Sequence, residues 1–175
     1  ALILQEITGQ SIDKYLRENI FNPLSMNDTG YNVPESQQHK IMKVHFNTED
    51  GGMIQSPVQV PPTGNTVYGG THGLFSSTED FLKFCQMILN KGTLNGKRIL
   101  KKQTVELMTK NHVGDLIGLG RGFGLGFGVL YDTEKDPSPA NTGQVYWGGY
   151  FKTHFFIDPK ESLIGIIMTQ KIPNT

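Results

Sequence analysis

The sequence Val145-Tyr-Trp-Gly-Gly-Tyr-Phe-Lys-Thr-His-Phe-Phe-Ile157, followed by Asp158-Pro-Lys-Glu161 and Ser162-Leu-Ile-Gly-Ile-Ile-Met-Thr169, decides the fold class of this chain. Both longer runs are rich in β-branched and aromatic residues, which favour strands. The four residues between them include Asp and Pro, which are typical of a tight turn. We therefore predict two antiparallel strands, 145–157 and 162–169, so that the strand carrying Trp147 pairs with 162–169.

A further strand is predicted upstream of this hairpin. Between Phe123 and Tyr131, large residues alternate with Gly124, Gly126 and Gly128. This period of two is that of a strand with one bare face, over which another element can pack closely.

Helices are predicted on either side of these strands. Ser76-Ser-Thr-Glu79 has the pattern of a capping box and precedes an apolar stripe that Gly92 ends. Helical spacing also predicts a helix at 102–110, and two short helices near the start that Thr8-Gly9 separates and Asn22-Pro23 ends. The predicted fold class is therefore α+β, an antiparallel β-sheet flanked by helices.

The domain organisation follows from length and punctuation. A chain of 175 residues suits one domain, and it contains no internal repeat and no convincing linker. Residues 26–70 show little periodicity, which indicates a long surface excursion. We predict one piece, 1–175, with helices and long loops in 1–70 and a helix followed by antiparallel strands in 71–175.

Composition excludes several classes of function. Sixteen basic residues balance sixteen acidic ones, so no net field attracts nucleic acid or an anionic membrane. The single cysteine, Cys85, cannot build a disulfide framework or a cysteine-based zinc site, and the five histidines lack paired-ligand spacing. We therefore expect no metal and no cofactor. No apolar run approaches the ~20 residues of a transmembrane helix, so none is predicted in this stretch.

Several motifs together resemble one family. In chain order they are Glu6-Ile-Thr-Gly-Gln-Ser-Ile-Asp-Lys-Tyr-Leu16, Ile20-Phe-Asn-Pro-Leu-Ser-Met-Asn-Asp-Thr29, Gly73-Leu-Phe-Ser-Ser-Thr-Glu-Asp-Phe81, Phe123-Gly-Leu-Gly-Phe127, Tyr146-Trp-Gly-Gly149, Phe156-Ile-Asp-Pro159 and Met168-Thr-Gln170. Their order and spacing resemble the C-terminal portion of the serine β-lactamase-like and penicillin-binding-protein-like family, especially its class C and esterase branches. The resemblance covers nearly the whole chain.

That resemblance implies an activity and indicates which catalytic motifs are expected outside this chain. The family uses a serine in S-x-x-K, a second motif with Tyr or Ser and Asn, and a third strand motif of K-T-G type. The first two are expected upstream of Ala1, and a C-terminal helix beyond the end, so this chain is expected to be an inactive fragment of a serine hydrolase that cleaves an ester, amide or lactam. The alternative is a non-catalytic module that binds peptidoglycan-like or peptide ligands.

The resemblance also implies partners and a location. The expected partner of the parent protein is a small-molecule or peptidoglycan-like substrate, and an extracytoplasmic or periplasmic location is suggested by the family alone. A fragment that exposes apolar surface can also self-associate.

Three short motifs imitate the catalytic ones. Ser11-Ile-Asp-Lys14 satisfies S-x-x-K, but a helix N-cap serine followed by a solvated lysine explains it without chemistry. Ser25-Met-Asn27 lies where the resemblance expects a structural turn. In Lys152-Thr153 the next residue is His154, where glycine is needed for close approach to a substrate.

Trp147-Gly148-Gly149 fits the third motif better, because the esterase-like members replace its lysine with a bulky residue followed by Gly-Gly. The resemblance makes these three residues candidate substrate contacts and the Tyr150 N–H a candidate oxyanion donor. On this view Gly149→Val would crowd the substrate and greatly lower turnover while leaving the fold largely intact. The alternative is an ordinary strand with a buried Trp147. Tryptophan in place of lysine removes a cation that could bind a β-lactam carboxylate, which favours esterase-like activity.

Overall fold

The computed structural model describes residues 1–172. The described residues divide into two compact units, of which the first comprises Ala1–Phe81, Tyr150–Lys152 and residues 169–172. The second comprises Leu82–Gly149 and Thr153–Met168. The described residues form helices and antiparallel sheets, so the predicted α+β class is confirmed.

The first unit begins with short helices. Helix α1 (Leu2–Thr8) ends at Gly9 with a φ of 66°, as the Thr8-Gly9 pair predicts. Helix α2 (Ile12–Leu16) continues through a π-helical turn, Arg17–Phe21, into α3 (Asn22–Leu24). The prediction that Asn22-Pro23 ends the helix is therefore wrong, because Pro23 lies in the first turn of α3, where its missing N–H costs no hydrogen bond.

The rest of the first unit is mostly loop, as predicted for 26–70. It contains a 3-10 helix, Glu35–Lys40, and a hairpin of β1 (His45–Asn47) and β2 (Met53–Gln55). The segment that follows Met168 runs parallel to β1, with hydrogen bonds from the His45 N–H to the Gln170 carbonyl (2.8 Å) and from the Ile172 N–H to the His45 carbonyl (2.8 Å). The last described residues are thereby tied to the hairpin.

Helix α4 (Thr78–Leu89) is capped one residue later than predicted. The Ser77 hydroxyl accepts a hydrogen bond from the Asp80 N–H at 3.2 Å, which makes Ser77 the N-cap. Ser76, the predicted cap, instead shares a 2.8 Å hydrogen bond with the Thr29 hydroxyl. The cap residue therefore depends on a contact 47 positions away in the chain.

Two smaller elements of the second unit agree with the turn chemistry of the sequence. Strands β3 (Thr93–Leu94) and β4 (Lys97–Arg98) form a hairpin through Asn95 and Gly96, whose φ angles of 48° and 77° are those of a type I′ turn. Helix α5 (Lys102–Met108) forms within the predicted range.

The second unit contains a five-stranded antiparallel sheet in the order β5-β6-β7-β8-β9. The strands are β5 (Arg121–Phe123), β6 (Gly128–Leu130), β7 (Val145–Gly148), β8 (His154–Asp158) and β9 (Leu163–Ile167). Fully buried residues of this unit include Cys85, Met87, Val105, Leu130, Val145 and Ile157. Burial raises the pKa of the Cys85 thiol to about 12, so this cysteine acts as a core residue.

The glycine-rich run 123–131 is a hairpin, so the prediction of a single strand is wrong. The chain reverses after Phe123, where the Gly124 N–H donates to the Phe127 carbonyl at 2.8 Å and Gly126 has a φ of 97°. The close approach expected at the glycines is confirmed at Gly124, because a Cβ there would overlap the Met108 carbonyl. The alternating glycines are therefore explained by the positive φ that the turn requires at Gly126 and by the close packing of Met108 on Gly124.

The run 145–157 is also two strands. Val145–Gly148 pairs with His154–Asp158, which in turn pairs with Leu163–Ile167 through the predicted turn at 158–161. The prediction that the strand carrying Trp147 pairs with 162–169 is therefore wrong. The reason is an additional turn over 149–153, which the Gly149 N–H closes by donating to the Thr153 carbonyl at 2.9 Å.

Candidate functional site

The candidate residues lie at the end of β7 and in the turn after it. Trp147 and Gly148 are the last two residues of the strand, and Gly149 and Tyr150 begin the turn. The Trp147 side chain is 47% exposed and meets the Phe123 ring edge-on, with 4.8 Å between ring centroids. Trp147 is therefore not the buried residue that the ordinary-strand alternative requires, and its ring offers a flat apolar surface to a ligand.

The two glycines differ in what surrounds them. A Cβ on Gly148 would lie 3.4 Å from the Thr153 carbonyl oxygen and 3.6 Å from His154 Nδ1, which are ordinary van der Waals contacts. A Cβ on Gly149 would overlap Thr153 Oγ1. The Thr153 side chain occupies the space over Gly149, so Gly149→Val would have to displace Thr153 Oγ1 or the turn, and its effect on the fold stays a prediction.

The backbone N–H of Tyr150 is the candidate donor named from the sequence. Within residues 1–172, no oxygen accepts a hydrogen bond from the Tyr150 N–H, whereas the N–H of Gly149 just before it is paired with Thr153. The Tyr150 side chain is 69% exposed, and its ring meets that of Phe151 edge-on at 5.3 Å. An exposed strand end thus carries one backbone donor that is available to a ligand.

Residues that follow β9 form hydrogen bonds with Phe151, the residue after Tyr150 in the turn. The Phe151 carbonyl accepts hydrogen bonds from the Thr169 hydroxyl at 2.5 Å and from the Lys171 N–H at 3.2 Å. Sequence reasoning named neither Thr153 nor Thr169 as a contributor to the site. The only nearby signal was the Lys152-Thr153 pair, which was considered as an imitation of the third motif.

An ion pair lies beside Tyr146 of β7. Arg121 donates to both carboxylate oxygens of buried Asp136, and its guanidinium carbon lies 5.7 Å from the centre of the Tyr146 ring. The Arg121 hydrogen bond, with a further one from the Ser138 N–H at 2.8 Å, holds the pKa of Asp136 well below its usual range. This pair connects β5 to the 131–144 loop and stays ionised at neutral pH.

The motifs that imitate catalytic ones have structural roles. The Ser11 hydroxyl accepts from the Lys14 N–H at 3.3 Å as the N-cap of α2, and Lys14 Nζ lies 3.9 Å from Glu18 on the exposed surface. Ser25 is the C-cap of α3, with a φ of 57°. Lys152 has a φ of 63° in the turn before β8 and is exposed.

Residues 1–172 lack two other kinds of feature. No group of three or more His, Cys, Asp or Glu side chains in this part of the chain is arranged to hold a metal ion. Among the same residues, no helix combines the length and apolar character needed to cross a membrane.

Comparisons with known proteins agree on a family. The beta-lactamase family model matches residues 1–175. The chain is 26% identical over 194 residues to a putative D-alanyl-D-alanine carboxypeptidase of Escherichia coli (strain K12), covering 97% of this chain and 42% of that protein. It is 25% identical over 195 residues to the lovastatin esterase of Penicillium rubens, covering 97% of this chain and 48% of that protein.

A solved structure shares the fold. The hydrolase EstCE1, described as having promiscuous acyltransferase activity, superposes with a TM-score of 0.84 at 20% identity, over 97% of this chain and 48% of that one. The chain thus spans less than half the length of the proteins it matches. From the family match over its whole length, this chain belongs to the beta-lactamase family of serine hydrolase-type proteins.

Proposed function

We propose that this chain is the C-terminal part of a beta-lactamase-like domain in a serine hydrolase that cleaves its substrate through an acyl-enzyme. In this proposal the nucleophilic serine and its lysine belong to residues other than these 175, since Ser11 is a helix cap and Lys14 pairs with Glu18. The present residues bind the substrate and stabilise the oxyanion. Trp147, Gly148 and Gly149 form one wall of the substrate cleft.

The unpaired Tyr150 N–H carries the proposal. Acyl transfer develops negative charge on the carbonyl oxygen, and preorganised N–H donors stabilise that charge most where they need no rearrangement. Tyr150 follows a strand end whose last side chain, Trp147, is half-exposed. Its N–H is assigned here as one of the two oxyanion donors, and the nucleophile's own N–H as the other.

The substrate class follows from Trp147. An ammonium or guanidinium group at this position could bind a substrate carboxylate, whereas an indole ring contacts apolar or aromatic groups. The Phe123 ring beside it extends the apolar surface. We therefore propose an ester with an uncharged acyl group as the substrate, in line with the name of the Penicillium relative.

The proposal is tested first on the 175-residue chain. Incubation with a fluorophosphonate or a penicillin, followed by mass spectrometry, is expected to give no stoichiometric adduct, because Ser11 is the N-cap of α2 and the nearby Lys14 ammonium lies beside Glu18. A stoichiometric adduct on Ser11 would refute the assignment of the nucleophile to other residues.

A second test uses the complete gene product and removes the donor itself. Tyr150→Pro deletes the backbone N–H, whereas Tyr150→Ala keeps it and removes only the exposed ring. For hydrolysis of a p-nitrophenyl ester we expect Tyr150→Pro to lower kcat by about 100- to 1000-fold relative to Tyr150→Ala, the usual loss of one oxyanion donor. Equal kcat values in two variants with unchanged melting temperatures would contradict the oxyanion assignment. Turnover of a D-Ala-D-Ala peptide without any ester turnover would contradict the substrate class.

A further inference from the structure

Two hydrogen bonds hold the carbonyl group next to the proposed oxyanion donor. The Phe151 carbonyl accepts from the Thr169 hydroxyl at 2.5 Å and from the Lys171 N–H at 3.2 Å. Thr169 lies 18 residues from Phe151 in the chain, in the segment after β9. A turn carbonyl at a strand end would ordinarily point into water.

The segment that supplies these donors is itself anchored. The Gln170 carbonyl, between Thr169 and Lys171, accepts from the His45 N–H at 2.8 Å, and the Ile172 N–H donates to the His45 carbonyl at 2.8 Å. His45 belongs to β1, which pairs with β2 over three residues. Thr169 thus offers its hydroxyl from a backbone that is fixed on its other side.

The direction of the Tyr150 N–H depends on how firmly this turn is held. Among residues 1–172 the Tyr150 N–H has no hydrogen-bond acceptor, so within this part of the chain its peptide plane is oriented through the residues on either side of it. The Gly149 N–H is bonded on one side of Tyr150 and the Phe151 carbonyl on the other. Loss of either hydrogen bond frees the backbone dihedral angles between Gly149 and Phe151, and with them the direction of the Tyr150 N–H. An oxyanion donor is effective only when its direction is set before the reaction.

We infer that Thr169 is a positioning residue, whose hydroxyl aims the Tyr150 N–H at the oxyanion by holding the Phe151 carbonyl. This inference rests on the proposed function. It extends the site to the segment after β9, in which sequence reasoning named no functional residue.

The test compares Thr169→Val, which keeps the shape but lacks the hydroxyl, with Thr169→Ser, which keeps the hydroxyl. Thr109→Val is the matched control, because the Thr109 hydroxyl also donates to a backbone carbonyl, that of Val105 at 2.9 Å, at the end of α5. In the complete gene product we expect Thr169→Val to lower kcat for the ester about 3- to 10-fold, the worth of one net hydrogen bond. KM should change less than about twofold, because the donor acts on the transition state.

A second readout does not depend on turnover. In the ¹⁵N-labelled complete gene product, Thr169→Val should lower the amide order parameter of Tyr150 from the rigid range, about 0.85, while Thr169→Ser and Thr109→Val leave it there. If the wild-type gene product is inactive but Thr169→Val still loosens Tyr150, the proposed function fails and the structural link stands. If the wild type is active and Thr169→Val matches Thr109→Val in both kcat and order parameter, the positioning role is refuted. A Thr169→Ser variant as deficient as Thr169→Val would also refute it, because the hydroxyl would then not be the cause.

Discussion

A pair of glycine substitutions provides the sharpest test of the turn after β7. Gly148 and Gly149 are adjacent, and neither has a positive φ, so alanine is compatible with the backbone at both positions. They differ only in what a new Cβ would meet. At Gly148 the nearest atoms lie at 3.4 and 3.6 Å, while at Gly149 the Cβ would overlap Thr153 Oγ1.

The expected free energies of unfolding follow from these contacts. Gly148→Ala should be neutral or stabilise the chain by about 0.4 to 1 kcal/mol, because alanine reduces the entropy of the unfolded state. Gly149→Ala gains the same entropy term but forces Thr153 or the turn to move, at a cost of about 1 to 3 kcal/mol for overpacking. We therefore expect a net destabilisation of about 1 to 2 kcal/mol.

Thr153→Ala supplies the control that ties the loss to one atom. Without Oγ1, the nearest remaining atom to the new Cβ is the Cβ of residue 153, at 3.7 Å, which is an ordinary contact. In urea unfolding of the 175-residue chain, the double variant Gly149→Ala/Thr153→Ala should recover at least about 1 kcal/mol relative to additivity. Equal stabilities of Gly148→Ala and Gly149→Ala, or no recovery in the double variant, would refute the packing of Thr153 over Gly149.

Three further predictions concern the rest of the chain. The Arg121 hydrogen bond lowers the pKa of Asp136, so ionised Asp136 should stabilise the folded chain fully above about pH 4, and this stabilisation should decline as the pH falls toward the lowered native pKa. The urea midpoint of Asp136→Asn should therefore depend less on pH between about 2 and 4 than that of the wild type. Gly92 and Gly96 both have a positive φ, but a Cβ on Gly92 would overlap the Leu100 carbonyl, whereas a Cβ on Gly96 would face open space. Gly96→Ala should therefore lower the free energy of unfolding by about 1 kcal/mol, and Gly92→Ala should lower it further. Equal melting temperatures of the two variants would contradict this prediction. Leu116 is 85% exposed, and light scattering over a concentration series should show self-association of the chain that Leu116→Asp reduces; a strictly monomeric wild type would contradict the prediction.

The elements that could be predicted from the sequence are those with local causes. Asn95-Gly96 has the chemistry of a type I′ hairpin, and Asp158 accepts from the N–H groups of Lys160 and Glu161 at 2.9 and 3.2 Å, as a turn aspartate does. In both cases the residues that form the turn also identify it. The α+β class follows from such segments, because the order of helices and strands requires no long-range information.

The elements that were missed depend on distant contacts or on unusual residues. The turn over 149–153 contains no Asn-Gly, Asp-Gly or Pro, and it has a lysine, Lys152, with a positive φ. The alternating glycines of 123–131 follow the period of a strand, although the chain reverses at Gly126. In the candidate site, Trp147 to Tyr150 were identified by family resemblance. The hydrogen bond from Thr169 to Phe151 joins residues 18 positions apart, and no local sequence pattern predicts it.

The hydrogen bonds around Tyr150 orient its N–H before any substrate binds in the proposed mechanism. The Gly149 N–H is bonded to Thr153, and the Phe151 carbonyl to Thr169 and Lys171, so the bonds on both sides of Tyr150 come from this chain. An oxyanion donor oriented in this way is set when the chain folds, and its ordering entropy is not lost again at each turnover. If the nucleophile belongs to other residues, substrate binding has only to bring the reacting carbonyl to a donor that already points in its final direction. The Tyr150 amide should therefore have the same order parameter in the free complete gene product and in its acyl-enzyme, and a donor that became ordered only on acylation would contradict this preorganisation.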